Sequence, residues 1–114
     1  INNSRIYLTG LSMGGFGSWE LASRLPDTFA AVVPICGGGN PKNAAKLVDT
    51  PIWNWHGDAD KVIPISKSEE MVEAVKIAGG KKITFTRLKD VGHNSWSDAY
   101  ASPKLWDWLA NKKR

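Results

Sequence analysis

A chain of 114 residues has the length of one domain with a modest core, and its 42% hydrophobic and 23% charged content is that of a soluble globular protein. The net charge of +4 comes without a stripe of Arg and Lys interleaved with aromatics, which argues against a nucleic-acid partner. No apolar run approaches the roughly 20 residues that span a bilayer, and a single cysteine, Cys36, excludes an internal disulfide and a cysteine-rich zinc site.

In chain order, Asn2-Asn3-Ser4 is a polar lead-in to a strand over Arg5–Thr9. Gly10-Leu11-Ser12-Met13-Gly14 follows, a Gly-x-Ser-x-Gly pattern between that strand and a segment able to start a helix. An ordinary glycine-rich turn has the same pattern; strand before and helix after are the context of a nucleophile elbow, where a sharp turn lifts the serine hydroxyl clear of the sheet. Gly10 and Gly14 are expected to remove side chains that would collide there. The helix carries Phe16, Trp19, Ala22 and Leu25 as its apolar stripe and ends at Pro26-Asp27. Phe29–Cys36 is a near-continuous apolar run, as in a strand buried on both faces.

Gly37–Pro41 reads as a loop and Lys42–Val48 as a short helix, before a third strand over Pro51–His56 and a loop over Gly57–Lys61. Ser66-Lys67-Ser68-Glu69 has the spacing of a capping box and opens a helix with Met71, Val72, Val75 and Ala78 facing inward, closed by Gly79-Gly80. Lys82–Leu88 is a fourth strand and Val91–Trp96 a loop. Ser102-Pro103 fits a cap with proline in the first turn of a last helix, in which Leu105, Trp106, Trp108 and Leu109 are available for burial. Strands alternating with helices, without a hairpin signal, predict an α/β fold, a mostly parallel sheet of about four strands flanked by helices, in a single domain over 1–114.

In open sheets of this class the ligand lies beyond the C-terminal strand ends. Ser12, the Asp58/Asp60 loop and His93 each follow a different strand, so all three fall on that edge. A serine hydroxyl needs a base to take its proton, histidine is the usual one, and a carboxylate behind the imidazole fixes its tautomer and stabilises the imidazolium. Ser12, then Asp58 or Asp60, then His93 is the Ser…Asp…His chain order of α/β-hydrolases, and spacing alone does not choose between the two aspartates. His56, in Trp-His-Gly at a strand end, reads as structural. Metal binding by His56, Asp58, Asp60 and His93 is the rival use of these groups, but no His-x-x-x-His pair or cysteine cluster accompanies them.

Three blocks, Gly10-Leu11-Ser12-Met13-Gly14-Gly15, His56-Gly57-Asp58-Ala59-Asp60-Lys61-Val62-Ile63-Pro64 and Gly92-His93-Asn94-Ser95-Trp96, resemble the ordered motifs of the α/β-hydrolase superfamily. The esterase branch is the nearest likeness, with its carboxylesterases and phospholipase-like proteins, dienelactone-hydrolase-like proteins, feruloyl esterases and polyhydroxybutyrate depolymerases. Pro34–Gly39 and Trp106-Asp107-Trp108-Leu109 resemble it as well. The resemblance implies Ser12 as nucleophile, His93 as general base, Asp60 as triad acid, the Met13 backbone N–H as an oxyanion donor, and Asp58 as a loop hydrogen-bonding residue. Trp96 is the aromatic best placed to line a substrate pocket. No cofactor and no metal are implied.

The resemblance covers the C-terminal half of the family's domain. The strands that usually precede the elbow, and the loop supplying a second oxyanion donor, lie outside it; such a donor is worth about two to three powers of ten in rate. An unpaired elbow strand would be an apolar edge, which predicts a homo-oligomer. The expected activity is hydrolysis of small or short-chain acyl esters through an acyl-enzyme. The alternatives are a non-catalytic half-domain serving in assembly, or a fragment of a prolyl-oligopeptidase-like serine peptidase.

Overall fold

A computed structural model describes residues 3–114. The polar lead-in starts at Asn2, outside the described residues; Asn3–Arg5 form a 3-10 turn. Four strands follow in the chain, β1 (Tyr7–Leu11), β2 (Ala31–Ile35), β3 (Ile52–Gly57) and β4 (Ile83–Leu88). They pair in parallel in the order β1-β2-β3-β4. Helices α1 (Met13–Arg24), α2 (Ser66–Ile77), α3 (Ser95–Ala101) and α4 (Pro103–Ala110), with a 3-10 helix at Pro41–Leu47, make the connections and the C-terminal layer. A parallel pair requires a crossover, so each strand ends at the same edge of the sheet, where the next connection begins.

The alternation of side chains along each strand splits the core in two. Val32 and Ile52 join Trp19, Ala22, Met71 and Val75 beneath α1 and α2. Ala31, Val33 and Ile35 point the other way, to Trp55, Ala99, Leu105 and Leu109 beneath α3 and α4. All five residues of β2 are buried, as its apolar run predicts. β1 is an edge strand, paired among the described residues with β2 alone. None of the described helices is long and apolar enough to cross a membrane.

Five local expectations are corrected. On α1, Trp19 and Ala22 are buried but Phe16 and Leu25 are exposed, because a three-residue repeat drifts by about 60° per step around a helix that turns about 100° per residue. The two ends of the stripe therefore leave the sheet on opposite sides. The capping box does not form: Ile65 is the N-cap of α2 and no side chain caps it. Ser68 instead turns into the interior, and Glu69 pairs with Arg87 at 2.7 Å. Ala78 is exposed, one residue past the end of α2. Trp96, read as loop, lies in α3, whose seven residues bury only Ser95 and Ala99 and so carry little periodic signal. In α4, Leu105 and Leu109 are buried while Trp106 is exposed.

Candidate functional site

Ser12 occupies the turn between β1 and α1 with φ 54° and ψ −117°. A non-glycine residue there stores about 1–3 kcal/mol of backbone strain, so its surroundings must hold it. Its N–H donates to Ile35 O at 3.0 Å, and its carbonyl accepts from Gly15 N and Phe16 N at 2.9 and 3.1 Å. Gly10 is needed for contact: a Cβ would stand 2.3 Å from Gly14 O. At Gly14 itself a Cβ meets nothing, contrary to expectation, and the second close approach is at Gly15, where it would stand 2.5 Å from Ile35 O. Met13 is the first residue of α1, so its N–H has no acceptor one turn earlier in the helix.

Asp60 follows β3 and is held by its own turn: Oδ1 accepts from Val62 N and Ile63 N, both at 2.9 Å. Oδ2 lies 2.8 Å from His93 Nδ1, and His93 Nε2 lies 2.9 Å from Ser12 Oγ. The structure thus brings Ser12, His93 and Asp60 into one hydrogen-bonded line, with the carboxylate side chain fully buried and the imidazole 22% exposed. Burial acts to raise the carboxyl pKa of Asp60, but the hydrogen bonds from His93, Ile63 and Val62 outweigh it and hold the carboxyl below its ordinary range. A carboxylate paired this way sets the histidine tautomer, with hydrogen on Nδ1 and the Nε2 lone pair facing the serine.

The other aspartate of the loop is exposed and serves the backbone: Asp58 Oδ1 accepts from Asp90 N at 2.7 Å, at a residue of positive φ just after β4. It ties down the segment that carries His93. Gly57 makes room for that segment, since a Cβ there would stand 2.1 Å from Val91 O. Trp96 packs edge-on against the His93 ring, centroids 5.5 Å apart, and so backs the imidazole as a wall.

Two groups with no role expected from the sequence lie beneath this line. Cys36, at φ 43° and fully buried, places Sγ 3.3 Å from Ser12 N. Burial pushes its thiol pKa up, which keeps it an uncharged packing group. His56 is fully buried and its Nε2 stands 3.3 Å from Asp60 Oδ2. Its place four residues before Asp60 was the one available signal.

Among the described residues, Cys36, Asp60 and His93 offer metal-ligand atoms within 4.8 Å of one another. Each of those atoms is already engaged: the sulfur by Ser12 N, the carboxylate by Val62, Ile63 and His93, the imidazole by Asp60 and Ser12. Asp58 is not in the group, so the four-residue metal reading of His56, Asp58, Asp60 and His93 is not assembled.

A parallel sheet with a strained serine between strand and helix, and a histidine and an aspartate from two later strand ends, is the architecture of an α/β-hydrolase. The chain belongs to the phospholipase/carboxylesterase family, whose family model matches residues 1–104. The crystal structure of a thermostable esterase superposes with a TM-score of 0.95 at 36% identity, over 100% of this chain and 32% of that one. A bifunctional acetylxylan esterase/xylanase of Neocallimastix patriciarum is 36% identical over 70 residues, 60% of this chain and 10% of its own. Poly(3-hydroxyalkanoate) depolymerase C of Paucimonas lemoignei is 50% identical over 38 residues, 33% of this chain and 9% of its own. The chain therefore spans about a tenth of each of these curated relatives and about a third of the esterase.

Proposed function

We propose that the chain carries the catalytic apparatus of a serine carboxylic-ester hydrolase acting on small or short-chain acyl esters. One observation carries the reading: the unbroken line from Ser12 Oγ through His93 to Asp60, at 2.9 and 2.8 Å. Ser12 Oγ attacks the ester carbonyl carbon as His93 Nε2 takes the hydroxyl proton, giving a tetrahedral oxyanion and an imidazolium paired with Asp60. Collapse breaks the bond to the alkoxy oxygen, which leaves as the alcohol with the proton from His93. Water then attacks the acyl-serine by the same route, releasing the carboxylic acid and restoring Ser12. The Met13 N–H serves as an oxyanion donor at the positive end of α1. Trp96, beside His93, borders the space the acyl group enters.

The family and the esterases it resembles support ester hydrolysis as the class of reaction. Hydrolysis of p-nitrophenyl acetate and butyrate, measured beside Ser12→Ala, tests it. Turnover that disappears with Ser12→Ala is expected. Equal background rates in the two proteins would contradict the reading and favour a non-catalytic module.

A further inference from the structure

The turn that presents Asp60 is held from below by a second histidine. His56 ends β3 with no exposed surface. Its Nε2 lies 2.8 Å from Ile63 O and 3.3 Å from Asp60 Oδ2, and its Nδ1 lies 2.7 Å from Ser68 Oγ. Ser68 Oγ also lies 2.9 Å from Gly37 O, just past β2 and beside Cys36, and its single hydrogen serves either that carbonyl or His56 Nδ1, not both. A carbonyl only accepts, so the hydrogen bond to Ile63 O requires the hydrogen on Nε2. That directs the Nε2–H at Ile63 O, with Asp60 Oδ2 3.3 Å from the same nitrogen.

We propose that His56 is a positioning residue for the triad acid, its Nε2–H pinning the Asp60–Ile63 turn through Ile63 O so that the carboxylate stays aimed at His93. The two contacts act on opposite sides of one group. Ile63 N and Val62 N grip Oδ1 from within the turn, and His56 anchors the far end of that turn through Ile63 O. Oδ2 is left to the two imidazoles, His93 Nδ1 at 2.8 Å and His56 Nε2 at 3.3 Å. Without the His56 N–H, the turn loses its anchor, a partly buried carbonyl loses its donor, and only His93 is left hydrogen-bonded to Oδ2. Ser68 Oγ, within hydrogen-bond distance of both His56 Nδ1 and Gly37 O, holds the histidine against the segment that follows β2.

The kinetic consequence rests on the hydrolase reading, and the spectroscopic one does not. His56→Met keeps the volume and removes the donor; His56→Gln returns an N–H at the end of a side chain of similar reach. With p-nitrophenyl acetate, His56→Met is expected to lower kcat about 10- to 100-fold, the range found when outer partners of metal-site ligands are removed. KM should change less than about twofold, because ester binding is untouched. His56→Gln is expected to recover a large part of kcat. In proton NMR the downfield His93 Nδ1–H resonance should shift or broaden in His56→Met and return in His56→Gln. A folded His56→Met protein with unchanged kcat and an unmoved resonance would overturn the proposal, as would a His56→Gln protein no better than His56→Met. Nitrogen-15 histidine NMR of the unaltered chain needs no variant: a hydrogen on His56 Nε2 is expected, and a bare Nε2 would overturn it equally. If the unaltered chain does not turn over, the hydrolase reading falls, while both resonances still decide the role of His56.

Discussion

The two ends of the sheet differ in what they hold. At the C-terminal ends of the strands, β1, β3 and β4 deliver a serine, a buried carboxylate and an imidazole to one line of hydrogen bonds. At the N-terminal ends lies a cavity of about 400 Å³, lined by Phe29, Ala30, Thr50 and Pro51 with Asp27, Asp49, Lys82 and Arg114 around it. Its lining contains no serine, cysteine or histidine. What marks the other end is connected donors and acceptors, a residue held at positive φ, and a carboxyl whose pKa is depressed by the partners it keeps.

The sharpest break of this contrast is at the acid. Asp60→Asn removes the acceptor that sets the His93 tautomer, and kcat is expected to drop on the order of 10^4-fold. Asp58→Asn, in the same loop, should cost less than about tenfold, because the Asp58 carboxylate serves the Asp90 backbone and Arg87 rather than His93. Lys82→Ala at the opposite cavity should leave kcat within about twofold. Ester hydrolysis by the three variants ranks them directly, and equal losses in Asp58→Asn and Asp60→Asn would erase the distinction between the two aspartates.

Acid tests the same carboxylate through stability. The folded-state pKa of Asp60 is lowered, so its contribution to stability is fully present above the unfolded-state value of about 3.9 and is lost as pH falls through the lower folded-state value. The gap in melting temperature between the unaltered chain and Asp60→Asn should therefore be constant near neutrality and shrink below about pH 4. A gap that does not change with pH would show that the carboxylate charge is not what holds the turn.

Glycine substitutions give the smallest effects and sharpen the account of the elbow. Gly10→Ala drives a Cβ into Gly14 O and should cost about 1–3 kcal/mol, read as a lower denaturation midpoint. Gly14→Ala meets nothing and, inside α1, should gain about 0.5–1 kcal/mol. If both variants lose stability alike, the elbow is tighter than the structure indicates.

Much of this was legible in the sequence, and the reasons it stopped where it did are physical. The four parallel strands follow from apolar runs separated by helix-length crossovers, and the common edge for Ser12, Asp60 and His93 follows from their each coming after a different strand. The choice between Asp58 and Asp60 was not written in spacing. It depends on a turn in which Asp60 bonds the N–H groups two and three residues ahead, which folds its side chain inward while Asp58 stays outside. The capping-box motif misled because Ser68 finds better partners in His56 and Gly37 than in the helix end. His56 read as structural because nothing local shows that a strand end and a turn four residues later meet at one oxygen.

The most direct measurement is covalent labelling of Ser12 by a fluorophosphonate, in the unaltered chain and in His93→Ala. The account predicts rapid, stoichiometric modification at Ser12 in the first and loss of most of that reactivity in the second. An unlabelled serine, or labelling indifferent to His93, would contradict the claim that the line through His93 to Asp60 makes Ser12 a nucleophile.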